Sequence, residues 1–522
     1  MKIKTNVNRA GGMAINWITI FVQILVSLFF VPFFLKTVGD KQYGLYAFSN
    51  SLIAWIDTLL IAIAAAYHKF LTREKKNHGE YGEARACGVF FIIFLIIAVL
   101  MTILGLGFDA LLYFDVIKLN EYTLYEKNQI CLIILMSILS SFVSTILTVR
   151  KSYYYYKQKY IFVYSVGFVQ IVVQTALSFV LLKLGYGVIA VAAVHFGVAI
   201  LSSLVLGMFS KLYLKEIISI NPISEEDKMA RKKLFVEILV FSSFVIITTV
   251  VDTINKSLDK TILGFYNANS IANYQLAYTI PSYLISITSI VSIVFEKRLN
   301  DAYYNGRGIE EVNEVYLRVS NIQTIITMLI VGGFIVCGKE FVFLWLDDTR
   351  IQVFYVCCIF MLIYSLTCCN RLALSCRFVQ NKHKKAALIY LAIAIFNVAL
   401  SLLLVNLVNK EDALWACVAG TAITYIIGQW IIMQIYDKKV TKINTTAFFL
   451  RYCSYLFITL TIDLVIIRFF NLISVDNLVV SLVVKGSLFA IIYLTIAYFI
   501  NRKPAKEMQA RIVNYLSRRK KN

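Results

Sequence analysis

The chain has 522 residues, 59% hydrophobic, 14% aromatic and 16% charged, with a mean hydropathy of +0.74. A water-soluble protein of that composition would expose far too much apolar surface, so the class is a polytopic membrane protein. A net charge of +21 would point a soluble protein toward nucleic acid; in a membrane protein it raises the question of which loops carry the cations.

The chain begins MKIKTNVNRAGG, short and basic, and the apolar run that follows lacks a small-residue cleavage site. A retained first span with no signal peptide is expected. Apolar runs of about 20 residues, the length a helix needs to cross hydrocarbon, then recur along the sequence. They lie near 14–36, 43–66, 87–108, 129–149, 160–183, 187–210, 236–260, 271–295, 320–344, 354–375, 386–407, 413–435, 449–470 and 478–500. The fold class read from them is an all-α polytopic membrane protein of fourteen transmembrane helices.

Positive charge checks the count, because Lys and Arg concentrate in short cytoplasmic loops. HKFLTREKKNHGEYGEAR, RKSYYYYKQK, KLYLKEIISINPISEEDKMARKK, EKRLNDAYYNGRGIEEVNEVYLR, CRFVQNKHKK and DKKVTKINTT follow the even-numbered spans. With both termini, these segments hold about three quarters of the 51 Lys and Arg residues. Both ends of the chain are therefore expected in the cytoplasm, with anionic lipid headgroups beside the basic loops. The bases and aromatics of SYYYYKQKY read as an interface anchor at a span end, with no nucleic-acid partner. The ten cysteines lie in or beside apolar runs without metal-ligand spacing to histidine, which fits buried thiols and no metal site.

A weak internal echo joins the halves. QTALSFVLL (174–182) resembles NVALSLLLV (397–405), and VGDKQYGLYAFSNSL (38–52) has a counterpart in LGFYNANSIANYQLAYTIPSYL (263–284). With the span count it suggests two six-helix lobes in parallel repeat, a known transporter plan with the substrate site between halves. The expected division is 1–235 for spans one to six and 236–447 for spans seven to twelve. Residues 448–522 then hold an extra pair of spans and a basic tail.

Ionisable residues inside spans are costly and mark pathways by default. Asp252, Lys256, Asp259 and Lys260 stand at i, i+4, i+7 and i+8 and form one polar stripe on span seven. Either the stripe faces a lumen, its lysines attracting an anionic cargo, or it is a self-neutralising ladder on one helix. Asp57 is alone in span two, either exchanging a proton or hydrogen-bonded to a neighbouring helix. His195 in span six is read as a hydrogen-bonding packing residue, with proton relay as the alternative. Asn16, Trp17 and Gln23 in span one and Gln275 and Tyr278 in span eight would complete a substrate-binding wall, and Pro281 would hinge its helix. Arg371 and Arg377 stand at the cytoplasmic mouth, either meeting an anionic cargo or obeying the positive-inside rule. Asp463, Arg468 and Lys485 in the last two spans are read as structural, with Arg468 and Lys485 snorkelling outward.

FFVPFFLKTVGDKQYGLYAFSNSLIAWIDTLL (29–60) and LDKTILGFYNANSIANYQLAY (258–278) resemble the Wzx-type polysaccharide flippases. These belong to the superfamily of multidrug and toxin exporters and lipid II flippases. The shared pattern is a Pro-containing first span, a turn Gly, a Tyr-Gly-x-Tyr opening and an Asp further on. Here Asp57 is followed by Thr58 and Leu59, where that family commonly continues Asp-x-Gly. The resemblance implies alternating access around a hydrophilic cavity in a bacterial inner membrane. Its cargo would be a polyprenyl-diphosphate-linked oligosaccharide, for O-antigen, capsule or exopolysaccharide assembly, with polymerase and chain-length machinery as partners. Flipping breaks no bond, so neither a catalytic residue nor an organic cofactor is expected, and coupling to H+ or Na+ is left open. The alternatives are a cation-coupled drug exporter of the same superfamily and a membrane polymerase or glycosyltransferase. The exporter would want an acidic cavity free of lysine, and the enzyme a larger outer loop than this sequence contains.

Overall fold

The computed structural model describes residues 2–213, 218–305, 308–380, 382–473 and 477–501; the side chains of 2–10, 13, 56–65, 68 and several residues between 211 and 304 lie outside the described set. Hydrocarbon offers no water to backbone N–H and C=O groups, so a spanning chain must satisfy them within itself. This chain does so with helices: α1 (Lys2–Val38), α2 (Asp40–Tyr113), α3 (Leu124–Tyr156), α4 (Tyr160–Lys183), α5 (Val188–Tyr213), α6 (Glu225–Tyr266), α7 (Ala268–Asn305), α8 (Ile309–Trp345), α9 (Ile351–Cys369), α10 (Arg371–Val379), α11 (His383–Leu407), α12 (Ala413–Tyr425), α13 (Met433–Tyr436), α14 (Thr445–Ile473) and α15 (Leu478–Ile500). Short π-helical windings at Ile426–Ile432 and Asp437–Thr441 flank α13. No strand occurs among the described residues.

Eleven helical segments among the described residues are long and apolar enough to cross a membrane, and each overlaps an expected span. The other three expected spans, near 43–66, 236–260 and 271–295, fall in α2, α6 and α7, where part of each stretch lies outside the described side chains. The basic segment after span two is helix where the sequence suggested a connection. Its Lys, Arg and Glu residues have good helix propensity, and α2 departs from helical geometry only at His78 and Gly79. Gly79 takes φ 64°, a left-handed conformation that a side chain disfavours.

Two compact units partition the chain. The first comprises residues 1–275 and 387–421, the second 276–386 and 422–522. One hydrophobic cluster of the first joins Tyr67, Phe70, Phe90 and Phe94 of α2 to Val149 and Tyr153 of α3 and Leu234 and Ile238 of α6. Helices α2 and α6 also share a buried charge network. Arg85 reaches Glu74 at 2.5 Å and Asp227 at 3.5 Å, and Arg231 Nε donates to Asp227 at 2.7 Å. Arg231 also donates to the Ser219 carbonyl at 2.6 Å, and the Ser219 amide donates to the Ala84 carbonyl of α2 at 3.2 Å, which together fasten the segment before α6 onto both helices. Burial alone would raise the Asp227 pKa; hydrogen bonds from Arg231, Tyr81 and the Ile223 amide outweigh it and hold the carboxyl below its usual range.

The second unit has its own core, with Tyr316 and Met328 of α8 packed among Leu372, Tyr452, Tyr455, Phe489 and Tyr493. Arg377 of α10 is fully buried and bonds Asp437 in bidentate fashion, Nε to Oδ1 at 2.8 Å and Nη2 to Oδ2 at 2.7 Å. Such a pair is favourable only because both ions are satisfied together.

Candidate functional site

Within the first unit α6, α7, α11 and α12 surround one buried acid. The α6–α7 turn is tied to the α11–α12 turn: Asn267 Nδ2 donates to the Lys410 carbonyl at 2.6 Å, and the Tyr266 hydroxyl to Asn406 Oδ1 at 3.0 Å. Asp259 stands about two turns before Asn267 and Tyr274 two turns after it, so the hairpin brings both to one depth.

Asp259 is 4% exposed. The Tyr274 hydroxyl and Thr421 Oγ1 each donate to its Oδ2 at 2.7 Å. Thr421 Oγ1 also lies 3.4 Å from Asn397 Oδ1, which accepts from Ser401 Oγ at 3.3 Å. Close approach of α12 to α11 requires Gly420, since a Cβ there would stand 2.6 Å from Ser401 Oγ. Asp259 Oδ1 is buried with no hydrogen-bond partner among the described residues. A buried carboxylate half-satisfied in this way is costly unless positive charge offsets it, and the Lys260 ammonium of the same helix lies within its field. The surrounding carboxylate, amide-carbonyl and hydroxyl oxygens are the hard donors that suit alkali and alkaline-earth cations. Among the described residues no cluster of three or more His, Cys, Asp or Glu converges, so a transition-metal site has no ligand set here.

A second polar node in the same unit occupies the matching place in the sequence echo. The Tyr46 hydroxyl lies 2.8 Å from His195 Nδ1, and Gln174 Nε2 donates to the His195 carbonyl at 2.9 Å. Tyr46 follows Gly39 by seven residues, as Tyr274 follows Asn267, and Gln174 and Ser178 occupy the places of Asn397 and Ser401.

The residues singled out in the sequence divide. Asp259 lies in the buried cluster, whereas Lys256 is exposed and Lys260 half-buried, so the stripe does not face one way. No ion pair joins Lys256 to Asp259 among the described residues, where hydroxyls hold the acid instead. The side chains of Asp57 and Asp252 lie outside the described residues. On α1, Trp17 is 47% exposed, Gln23 exposed and Asn16 half-buried. Gln275 and Tyr278 are half-buried on α7, with the Tyr278 ring 6.1 Å from Phe360 and 6.2 Å from Tyr364. Pro281 is buried, and α7 continues through it. Arg371 is exposed, while Arg377 is committed to Asp437. Tyr274, Asn397, Ser401 and Thr421 were not singled out. Asn397 and Ser401, polar at i and i+4 in an apolar helix and lying inside the internal echo, were the available signal.

No family model and no curated protein sequence matches the chain. Solved structures do. The lipid II flippase MurJ, in its inward closed conformation, is 14% identical, with a TM-score of 0.68 over 94% of this chain and 99% of its own. An inward-facing multidrug resistance MATE family transporter of the MOP superfamily is 13% identical, with a TM-score of 0.62 over 83% of this chain and 99% of its own. A MATE transporter of Vibrio cholerae is also 13% identical, with a TM-score of 0.56 over 85% of this chain and 99% of its own. The chain has the helical membrane fold that these transporters share.

Proposed function

We propose that the chain is a flippase of the Wzx type that carries polyprenyl-diphosphate-linked oligosaccharides from the cytoplasmic to the outer leaflet by alternating access. The observation that carries the reading is length within the shared fold. The multidrug MATE transporter and the lipid II flippase are each matched over 99% of their own length, but the first covers 83% of this chain and the second 94%. A lipid-linked cargo also suits the chemistry, because its sugars and diphosphate need a polar replacement for water while its tail stays in lipid. In this reading the chain has fourteen spans with both termini cytoplasmic, two six-span lobes and an extra pair, and works in a bacterial inner membrane beside polymerase and chain-length proteins.

Asp259, Asn397, Ser401 and Thr421 would hold a small hard cation, Na+ by the oxygen character of the set. When bound, it neutralises the Asp259 carboxylate and supplies the coupling charge. Lys256, exposed on α6, and Asp252 would contact the cargo. Lys256→Ala and Asp252→Ala are expected to lose polymer export with normal membrane levels; full export by both variants removes the lumen assignment. The second reading, a cation-coupled drug exporter, is favoured by the MATE likeness and the buried acid; export of cationic drugs without glycan export would establish it.

A further inference from the structure

In the second unit α14 packs on α8, and α15 packs against both. Asp463, midway along α14, is 2% exposed, and neither of its carboxylate oxygens has a hydrogen-bond partner among the described residues. Its neighbours on that face of α14, Ile462, Ile466 and Phe470, are buried in the apolar core. Thr459, one turn earlier, is fully buried with its hydroxyl also unpartnered among the described residues.

The field of Asp463 reaches Cys337 on α8 and Cys358 on α9, and Cys337 also lies within the fields of Glu340 on α8 and Lys485 on α15. Arg468, on α14 itself, is exposed. The one ammonium of the set is already committed. Lys485 Nζ donates to Glu340 Oε1, Ser481 Oγ donates to the same oxygen at 3.2 Å, and the ammonium lies 5.4 Å from the Phe470 ring centre. Lys485 therefore does not snorkel outward, and Glu340 keeps a second buried oxygen without a partner among the described residues.

The buried groups thus include two carboxylates and one ammonium. With both acids ionised, the packing would hold an uncompensated negative charge far from bulk water, at a cost of several kcal/mol. One added positive charge closes the balance. A hard metal cation takes roughly six or more oxygens, and Asp463 with Thr459 offers only three, in contrast to the oxygen-rich surroundings of Asp259. A proton needs a single lone pair.

We propose that Asp463 is a proton-binding site in the α8–α14–α15 packing, separate from the Asp259 cluster and binding one proton per chain. The neutral acid lies against the apolar core and its O–H can turn to the Thr459 hydroxyl. Loss of the proton sets a bare charge in the apolar packing that already holds Glu340 and loosens α14 from α8, so the packing of the last two helices follows protonation.

The test is infrared spectroscopy of the purified full chain carrying 13C-carboxyl aspartate, at neutral pH in H2O and D2O. It requires no cargo and is independent of the transport reading. The expected result is a protonated-aspartate C=O band that shifts in D2O and falls by one carboxyl per chain in Asp463→Asn. Asp463→Glu, which moves the acid out of the labelled pool, removes the same component should the amide variant fold poorly. A wild-type spectrum without a protonated-aspartate band, or a band unchanged in both variants, overturns the proposal.

Discussion

Thr421→Val removes one of the two hydroxyls that hold Asp259 while preserving the shape of the side chain. The lost bond is an O–H donated to a carboxylate at 2.7 Å in a fully buried setting. Hydrogen bonds to charged groups contribute about 1.5–3 kcal/mol, and each 1.4 kcal/mol is a factor of about ten in an equilibrium constant. The substitution also deletes one oxygen of the cation set. Half-saturation by Na+ should therefore rise roughly 10- to 150-fold. The assay is thermal unfolding of the purified protein in detergent as NaCl replaces choline chloride at constant ionic strength. A bound ion stabilises the folded state by about 2.7 kcal/mol at a hundred times its dissociation constant, which gives a measurable rise in melting temperature. Tyr274→Phe should shift the curve in the same sense, and Asp259→Asn should abolish it. A wild-type curve indifferent to Na+, or unchanged midpoints in Thr421→Val and Tyr274→Phe, would refute the reasoning.

Three further predictions rest on other contacts. Gly420→Ala places a Cβ 2.6 Å from Ser401 Oγ and 3.0 Å from its Cα, so it should cost about 1–3 kcal/mol of stability and weaken Na+ protection by moving Thr421; titration of the variant's melting temperature reads both. Arg377→Ala leaves Asp437, which is 0% exposed, as an uncompensated buried charge and should cost about 3–5 kcal/mol. Melting of a fluorescent fusion should show the double variant Arg377→Ala/Asp437→Ala recovering part of that loss. Asp227 is held below its usual pKa range when folded, so the unfolded state binds more protons and stability rises with pH. The contribution is complete above the unfolded value of about 3.9 and is lost as pH falls through the folded value. Protease cleavage of the 218–224 segment should accelerate on acidification, and Asp227→Asn should cleave at the accelerated rate already at neutral pH.

Membrane class and helix positions were legible because they depend on local properties. Runs of apolar residues must be helical in lipid, and eleven of the expected spans recur as long apolar helices. Helix α2 was harder to read: its Lys, Arg and Glu residues signal a loop by charge and a helix by propensity, and the ion pairs among Glu74, Arg85 and Asp227 favour the helix. Asp259 was visible as an expensive residue, but its surroundings were not. Thr421 lies 162 residues away in sequence, and i, i+3 spacing offered Lys256 as a partner for Asp259, whereas packing turned the acid inward and left the lysine exposed. Arg377 is a similar case, since a positive residue near a span end has an obvious bland reading and only the fold reveals Asp437 as its partner. Lys485 lies close enough to a span end to snorkel, yet Glu340 captures it.

The proposed function is movement of a lipid-linked glycan between leaflets. Its most direct test is reconstitution into vesicles carrying a fluorescent polyprenyl-diphosphate oligosaccharide, with a membrane-impermeant quencher reporting translocation. The account predicts that flipping accelerates with protein content and collapses in Asp259→Asn and Lys256→Ala. Absence of acceleration over protein-free vesicles, together with cation-driven extrusion of a drug by the same preparation, would contradict it.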